Sequence, residues 1–382
     1  MTRKICVLTG TRADYGIFHS VLKEIEKTDG LELSLLVCGM HLSEDFGMTI
    51  NEIKKDGFKV EESFETIVAG DTGASMAKGV ALTMMNVAQS LNRINPDVLL
   101  LLGDRGEMLG AASAAAFMNI PVAHIHGGEV TGTIDESIRH AITKLSHVHF
   151  PANEDAADRI KKLGEREKNI FTVGGPGLDY IANAKLIERK EFLQKFELED
   201  NKVLLLTQHP VTTERDKVEE QIRATMEAII ELGYQTVITY PNSDNGGKII
   251  IEVIDEYRKK YPQLRVFKNL SQIEYLSLLD VADAMVGNSS SGIIEAPSFK
   301  LPVVNIGTRQ NGRLRATNVI DVDYGKDNVI NGIKKAIFDE NFKKELESCV
   351  NPYGDGKAGK RIAKILKNMD INRELIQKRI TY

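Results

Sequence analysis

Residues 97–128, DVLLLLGDRGEMLGAASAAAFMNIPVAHIHGG, decide the fold class. The run at 97–102 (DVLLLL) is short, apolar and strand-like, 106–118 carries a helical pattern, and 121–125 (PVAHI) is strand-like again. Strand, helix and strand at this spacing make a unit that feeds a mostly parallel sheet. The alternation extends both ways. Strand-like runs stand at 4–9 (KICVLT), 32–37 (ELSLLV), 147–150 (HVHF) and 170–173 (IFTV), with helical patterns at 16–28, 74–93, 135–146 and 153–163. After the polar, Lys/Glu-rich segment 183–201 the pattern restarts, with strands expected at 202–207, 235–239, 264–267, 283–287 and 302–306. The fold class is therefore α/β, built as two Rossmann-like halves.

Composition sets limits on function. A chain of 382 residues with 42% hydrophobic side chains can bury one large core or two of ordinary size. A net charge of -5 argues against a bulk electrostatic grip on nucleic acid or on an anionic membrane, yet leaves room for a local basic site. Cys6, Cys38 and Cys349 are far apart and form no CxxC spacing, which points away from a disulfide framework or a structural zinc site. The N-terminal apolar run is too short for a signal peptide and no run approaches 18 apolar residues, so a cytoplasmic location is expected.

In open α/β sheets ligands bind beyond the carboxyl ends of the strands, and that rule selects the candidate residues. Gly10-Thr11-Arg12-Ala13-Asp14-Tyr15-Gly16 follows the first strand and suits an anion at a helix N-terminus, although it is not a GxGxxG fingerprint. The absence of any GxxxxGK[ST] sequence removes a P-loop. Gly103-Asp104-Arg105 and Gln208-His209-Pro210 follow other strands. Gly287-Asn288-Ser289-Ser290-Ser291 is a Gly/Ser-rich turn before a helix, where N–H groups and hydroxyls suit a diphosphate and Glu295 could accept from ribose hydroxyls. Gly307-Thr308-Arg309 adds a further arginine. For any one of these residues the plain alternative is a helix cap or a satisfied loop hydrogen bond.

The densest group is HIHGGEVTGTIDESIRH at 124–140, with three histidines, three carboxylates and an arginine. His124 and His126, two apart on a strand, would face one way as metal-binding pairs do, so a metal hydrolase is a rival reading. Against it, the sequence has no Cys cluster and no HExxH to complete a ligand shell.

Taken together, GTRADY at 10–15, GMHLSEDFG at 39–47, GDR at 103–105, the segment 124–147, QHPVTTE at 208–214, GNSS at 287–290 and GTRQNGR at 307–313 resemble the hydrolysing UDP-N-acetylglucosamine 2-epimerases of sialic acid biosynthesis. The resemblance runs from residue 4 to about 315. It implies a GT-B arrangement with the active site in an interdomain cleft: an N-terminal domain over 1–182, a UDP-binding domain over 183–356, and a C-terminal segment over 357–382 crossing back to the first. It implies elimination of UDP across C1 and C2 of the sugar, then addition of water to the glycal to release the free 2-epimer. No redox cofactor and no metal are implied; the expected partners are a UDP-sugar and a second or further copies of the chain, as homodimer or homotetramer.

Carried over by position, Asp104 and Asp135 resemble the carboxylates on which the family's activity depends, and His126 and His209 join them in the expected catalytic set. Arg12 and Ala13 resemble the nucleotide-contacting loop, Arg105 and His209 residues near the diphosphate and His41 a histidine near the sugar. Asn242, Ser289, Ser290, Glu295 and Arg309 resemble contacts to UDP, and Glu129 and Arg139 complete the substrate-binding set. Proton transfers dominate such chemistry, which explains so many acids and bases in one segment. One position departs from the pattern. The sialic acid enzymes commonly read HIEGGE where this chain has His126. HIHGGE, with GGPGLD at 174–179, resembles the branch of legionaminic acid synthesis, whose substrate is UDP-N,N'-diacetylbacillosamine. UDP-N-acetylglucosamine is the leading expectation, the bacillosamine derivative the alternative. A GT-B glycosyltransferase and a non-catalytic nucleotide-sugar sensor are further ones.

Overall fold

The computed structural model describes residues 2–69, 72–130, 134–241, 246–268 and 270–381. The chain forms two compact units, one comprising 1–182 with 353–382, the other 183–352.

The first unit has six parallel strands: β1 (Arg3–Thr9), β2 (Leu31–Cys38), β3 (Val60–Phe64), β4 (Val98–Leu102), β5 (Val122–Ile125) and β6 (Val148–Phe150). Its helices in the same region are α1 (Arg12–Lys27), α2 (Ile50–Lys55), α3 (Gly73–Ile94), α4 (Gly106–Phe117), α5 (Ile134–Leu145) and α6 (Glu154–Lys162). The strand order is β3-β2-β1-β4-β5-β6. All five residues of β4 are buried, as a sheet covered on both faces requires. One apolar cluster, including Phe18, Leu22 and Leu35, also takes in Ile362 and Leu366 of the helix Ala358–Asn368; the other holds Leu91, Leu99 and Met108.

The second unit repeats the design with β7 (Val203–Thr207), β8 (Gln235–Thr239), β9 (Leu264–Phe267), β10 (Ala284–Gly287), β11 (Val303–Ile306) and β12 (Val319–Val322). Its order, β12-β11-β10-β7-β8-β9, is the same winding seen from the other edge. Chain direction across the sheet therefore reverses between β1 and β4 in one unit and between β7 and β10 in the other. Those are the switch points where the carboxyl ends of strands leave a crevice.

Three local expectations need correction. The run at 170–173 is not a strand: Ile170 makes one isolated bridge with His149. Phe171 and Val173 donate to the carbonyls of His149 and Pro151, but Pro151 has no N–H with which to continue the ladder. The edge strands β3 and β12 were not expected. Their sequences, VEESF and VIDV, carry charges that an edge position tolerates and a central one would not. Finally, α1 begins at Arg12 rather than at 16, because the Thr11 hydroxyl caps it by accepting from the Asp14 N–H at 3.2 Å.

Candidate active site

At the switch point of the first unit, the loops after β1, β4 and β5 hold most of the expected residues. Arg12 and Ala13 are exposed at the start of α1, with the Arg12 Nε donating to Glu52 at 3.2 Å. Arg105, after β4, lies 3.4 Å from the Glu107 carboxylate, with the carboxylates of Asp14 and Asp104 also acting on it. Asp104 accepts from the guanidinium of Arg139, which is itself buried on α5. Burial pushes the Asp104 carboxyl above its ordinary value; Arg139 opposes the shift, while Asp135 and Glu129 add to it. Asp135, exposed in the first turn of α5, precedes Arg139 by four residues and so shares its side of the helix. Asp104, Asp135, Glu129 and Arg139 thus form one electrostatic group at adjacent strand ends.

His126 belongs to this group by a backbone device. It lies just beyond β5 with φ of 61°, a left-handed conformation unusual for a residue with a Cβ. Its N–H donates to the Phe150 carbonyl at 3.1 Å, and its Nδ1 stands 2.5 Å from the Glu129 carboxylate. The turn continues through Gly128, where a Cβ would lie 2.3 Å from the Ala156 carbonyl oxygen, so glycine is required there. Leaving the strand at this angle takes His126 off the strand face that carries His124, which removes the geometry of the rival metal-binding reading. His124 is fully buried on β5, its Nε2 bonded to the Gly103 carbonyl at 2.7 Å and its Nδ1 to the Thr143 hydroxyl at 3.3 Å. Burial lowers its pKa to about 3. Among the described residues, no group of three or more His, Cys, Asp or Glu side chains is placed to hold a metal ion.

His41 lies beneath the surface, with Nε2 at 3.0 Å from the Thr9 hydroxyl and Nδ1 at 2.7 Å from the Thr49 hydroxyl. Both ring nitrogens are thus occupied by hydroxyls of the first unit. Burial lowers its pKa to about 4.

At the switch point of the second unit one residue organises the rest. Asn288, buried at the end of β10, accepts from the His209 N–H at 2.6 Å and donates to the His209 carbonyl at 2.9 Å. Its own carbonyl accepts from Arg309 at 3.1 Å and from Gln310 at 2.8 Å. The preceding Gly287 has φ of 124°, and a Cβ there would sit 2.1 Å from the Thr207 carbonyl oxygen. The loops after β7, β10 and β11 are thereby tied together, bringing His209, Ser289, Ser290 and Arg309 to one edge. The Ser289 hydroxyl accepts from the Ser291 N–H at 3.3 Å, and the Glu295 carboxylate accepts from the Ser291 hydroxyl. Burial raises the Glu295 carboxyl above its usual range, with Ser291 opposing. Glu214 fixes the outer side, accepting from Thr308 at 2.5 Å and Gln221 at 2.8 Å. Asn242 lies outside the described residues.

Asn288, Glu214 and Asp14 were not singled out from the sequence, although all three stand in the quoted motifs. Asp14 is 7% exposed and its Oδ2 has no hydrogen-bond partner among the described residues. Burial raises its carboxyl to about 6, against the pull of Arg105 and the Thr11 hydroxyl. The sign follows from proton linkage. Below pH about 4 folded and unfolded chains both hold the proton; between about 4 and 6 only the folded chain retains it, so this group's contribution to stability falls as the pH rises and is gone once the folded chain also ionises above 6. The advantage of Asp14→Asn over the native chain should therefore grow by about 1–2 kcal/mol between pH 5 and pH 8. Urea unfolding at the two pH values measures it, and an advantage that shrinks with pH would show that Asp14 is ionised and paired.

Residues 23–367 match the sequence model of a family described as UDP-N-acetylglucosamine 2-epimerase. The chain belongs to that family. It is 44% identical over 379 residues to the hydrolysing UDP-N,N'-diacetylbacillosamine 2-epimerase of Legionella pneumophila, covering 99% of both chains. It is 33% identical over 379 residues to the UDP-N-acetylglucosamine 2-epimerase of Neisseria meningitidis, covering 99% of this chain and 98% of the relative. A crystal structure of a Neisseria meningitidis UDP-GlcNAc 2-epimerase bound to UDP-GlcNAc matches with a TM-score of 0.77 at 21% identity, over 95% of this chain and 99% of the other. This family member is an enzyme of the hydrolysing UDP-N-acetylhexosamine 2-epimerase type, and its two six-stranded parallel sheets are the α/β fold of the solved epimerases. Among the described residues, no helix is long and apolar enough to cross a membrane.

Proposed function

We propose that this epimerase hydrolyses UDP-N,N'-diacetylbacillosamine, releasing UDP and the free 2-epimer of the 2,4-diacetamido-6-deoxy sugar. The observation that carries the reading is the near full-length similarity to the Legionella pneumophila enzyme, which exceeds that to the Neisseria meningitidis relative. The ranking expected from the motifs alone is thus reversed. His126, where the sialic acid enzymes commonly read glutamate, agrees with it.

In the first step a base takes the C2 proton while the C1–O bond breaks, its electrons leaving with UDP and a C1=C2 double bond forming. In the second, water adds its hydroxyl at C1 and a proton reaches C2 on the opposite face. Two proton-transfer groups are needed on different sides of the ring. Asp104, Asp135 and the His126–Glu129 pair supply them in the first unit. Arg139 holds Asp104 in place, and Arg12, Ala13 and Arg105 flank the same loops. In the second unit Ser289 and Ser290 serve the diphosphate with Arg309 and His209, and Glu295 serves the ribose.

Incubation with each nucleotide sugar tests the reading. UDP and free 2-epimer should appear in equal amounts without an acceptor, faster from the bacillosamine derivative than from UDP-N-acetylglucosamine. A preference for UDP-N-acetylglucosamine would assign the activity of the Neisseria relative instead, and acceptor-dependent UDP release would make the protein a transferase. For the nucleotide contact, Glu295→Ala should weaken UDP binding by about 1–3 kcal/mol in titration calorimetry. An unchanged affinity in the folded variant removes Glu295 from the site.

A further inference from the structure

Away from the strand-end loops, the first unit contains a buried ionic cluster that involves the end of the chain. The Glu165 carboxylate accepts from Lys144 at 2.6 Å and from Lys378 at 2.7 Å, and its Oε2 lies 3.2 Å from the Nε2 of fully buried His149. Burial opposes ionisation of Glu165, but the bonds from His149, Lys144 and Lys378 outweigh it and hold the carboxyl at about 2. Lys144 also donates to the Leu163 carbonyl at 2.9 Å, and Lys378 donates to the Ser146 carbonyl at 2.6 Å. The Thr381 N–H bonds to the Gly164 carbonyl at 3.2 Å, fastening the tail beside the cluster.

These contacts converge on the C-terminal end of α5. The last carbonyls of a helix lack partners within it and favour a cation. Lys144 sits in the final turn and Ser146 directly follows it, so Lys378 brings a second cation, from more than 200 residues away, to the open end of this helix. The same helix carries Asp135, and Arg139 that meets Asp104; its Thr143 bonds His124, whose strand partner is His149.

We propose that Lys378 is a positioning residue for the active site: by closing the C-terminal end of α5 it sets where Arg139 and Asp135 stand relative to Asp104. The inference rests on the catalytic reading of those three residues. Charge count suits a clean test. Glu165 faces two ammonium groups, so Lys378→Met leaves a neutral Lys144–Glu165 pair, whereas Glu165→Gln would leave two partly buried cations side by side without a counter-charge and endanger the fold.

In the full-length chain, Lys378→Met should lower kcat about tenfold by displacing groups already in place, while UDP affinity by calorimetry is unchanged. Lys378→Arg, which keeps the charge and the reach to Ser146, should restore most of the rate. Glu374→Gln is the control. It loosens the tail's exposed ties to Arg166 (2.6 Å) and Lys168 (2.8 Å) without touching α5, and should leave kcat unchanged. A native kcat in folded Lys378→Met, an equal loss in Glu374→Gln, or no rescue by arginine each overturns the proposal. Failure of the native chain to turn over either nucleotide sugar would instead overturn the functional reading.

Discussion

Asp104→Asn should lower kcat by about 10²–10⁴ while UDP affinity stays within a few-fold of native, because the amide keeps the carboxylate's shape but cannot carry its proton. The surroundings of Asp104 argue for proton transfer. It lies two residues beyond a fully buried strand at the switch point, burial and the nearby Asp135 and Glu129 push its carboxyl up, and Arg139 restrains that shift. Burial against nearby charges of both signs is an arrangement found at carboxyls that act as acids or bases. Asp135→Asn should show the same split between turnover and binding, since Asp135 shares the group. The variant Asp104→Asn also leaves the buried Arg139 guanidinium without its anionic partner, so circular dichroism and thermal unfolding must accompany the kinetics. Near-normal turnover would reduce Asp104 to a holder of Arg139. Equal losses of turnover and UDP binding in a folded variant would mean that the loops after β4 and β5 had rearranged.

The sheets could be read from the chain because their central strands are continuous apolar runs. VLLLL at β4 and VLLLT at β7 must be covered on both faces, and only a parallel sheet with helices on either side does that. The edges could not be read so, since VEESF and VIDV bury little and carry charge. The strand-end rule likewise found the loops that matter, yet it missed what holds them. Asn288 stands inside GNSS, but its role depends on meeting His209 and Arg309 across 79 and 21 residues, which no local pattern announces. The pairing of His124 with His126 failed for a related reason. Alternation along a strand holds only while the strand lasts, and β5 ends at Ile125. Lys378 meets Ser146 and Glu165 across 232 and 213 residues, a separation no local pattern spans.

His126→Gln should abolish most exchange of the sugar's C2 proton into deuterated water and reduce kcat by about 10²–10³. The geometry favours a chemical role over a passive wall. The imidazole is held by Glu129 through Nδ1 at 2.5 Å, an arrangement in which a carboxylate fixes the ring and its tautomer and leaves Nε2 to act. That placement requires a left-handed backbone conformation, which costs on the order of 1–3 kcal/mol and persists only where the surroundings enforce it; the bond from its N–H to Phe150 is part of that enforcement. Glutamine matches the side chain's polarity but cannot accept the proton. His126→Glu restores an acceptor, in the form the sialic acid enzymes commonly carry, so it should keep measurable exchange. If the ring also shapes the pocket around the sugar's 4-substituent, His126→Glu should move the preference toward UDP-N-acetylglucosamine. Pre-steady-state exchange and steady-state turnover, each with both sugars, separate the two contributions. Native exchange in His126→Gln would take the histidine out of the chemistry, and an unaltered sugar preference in an active His126→Glu enzyme would leave specificity to other residues.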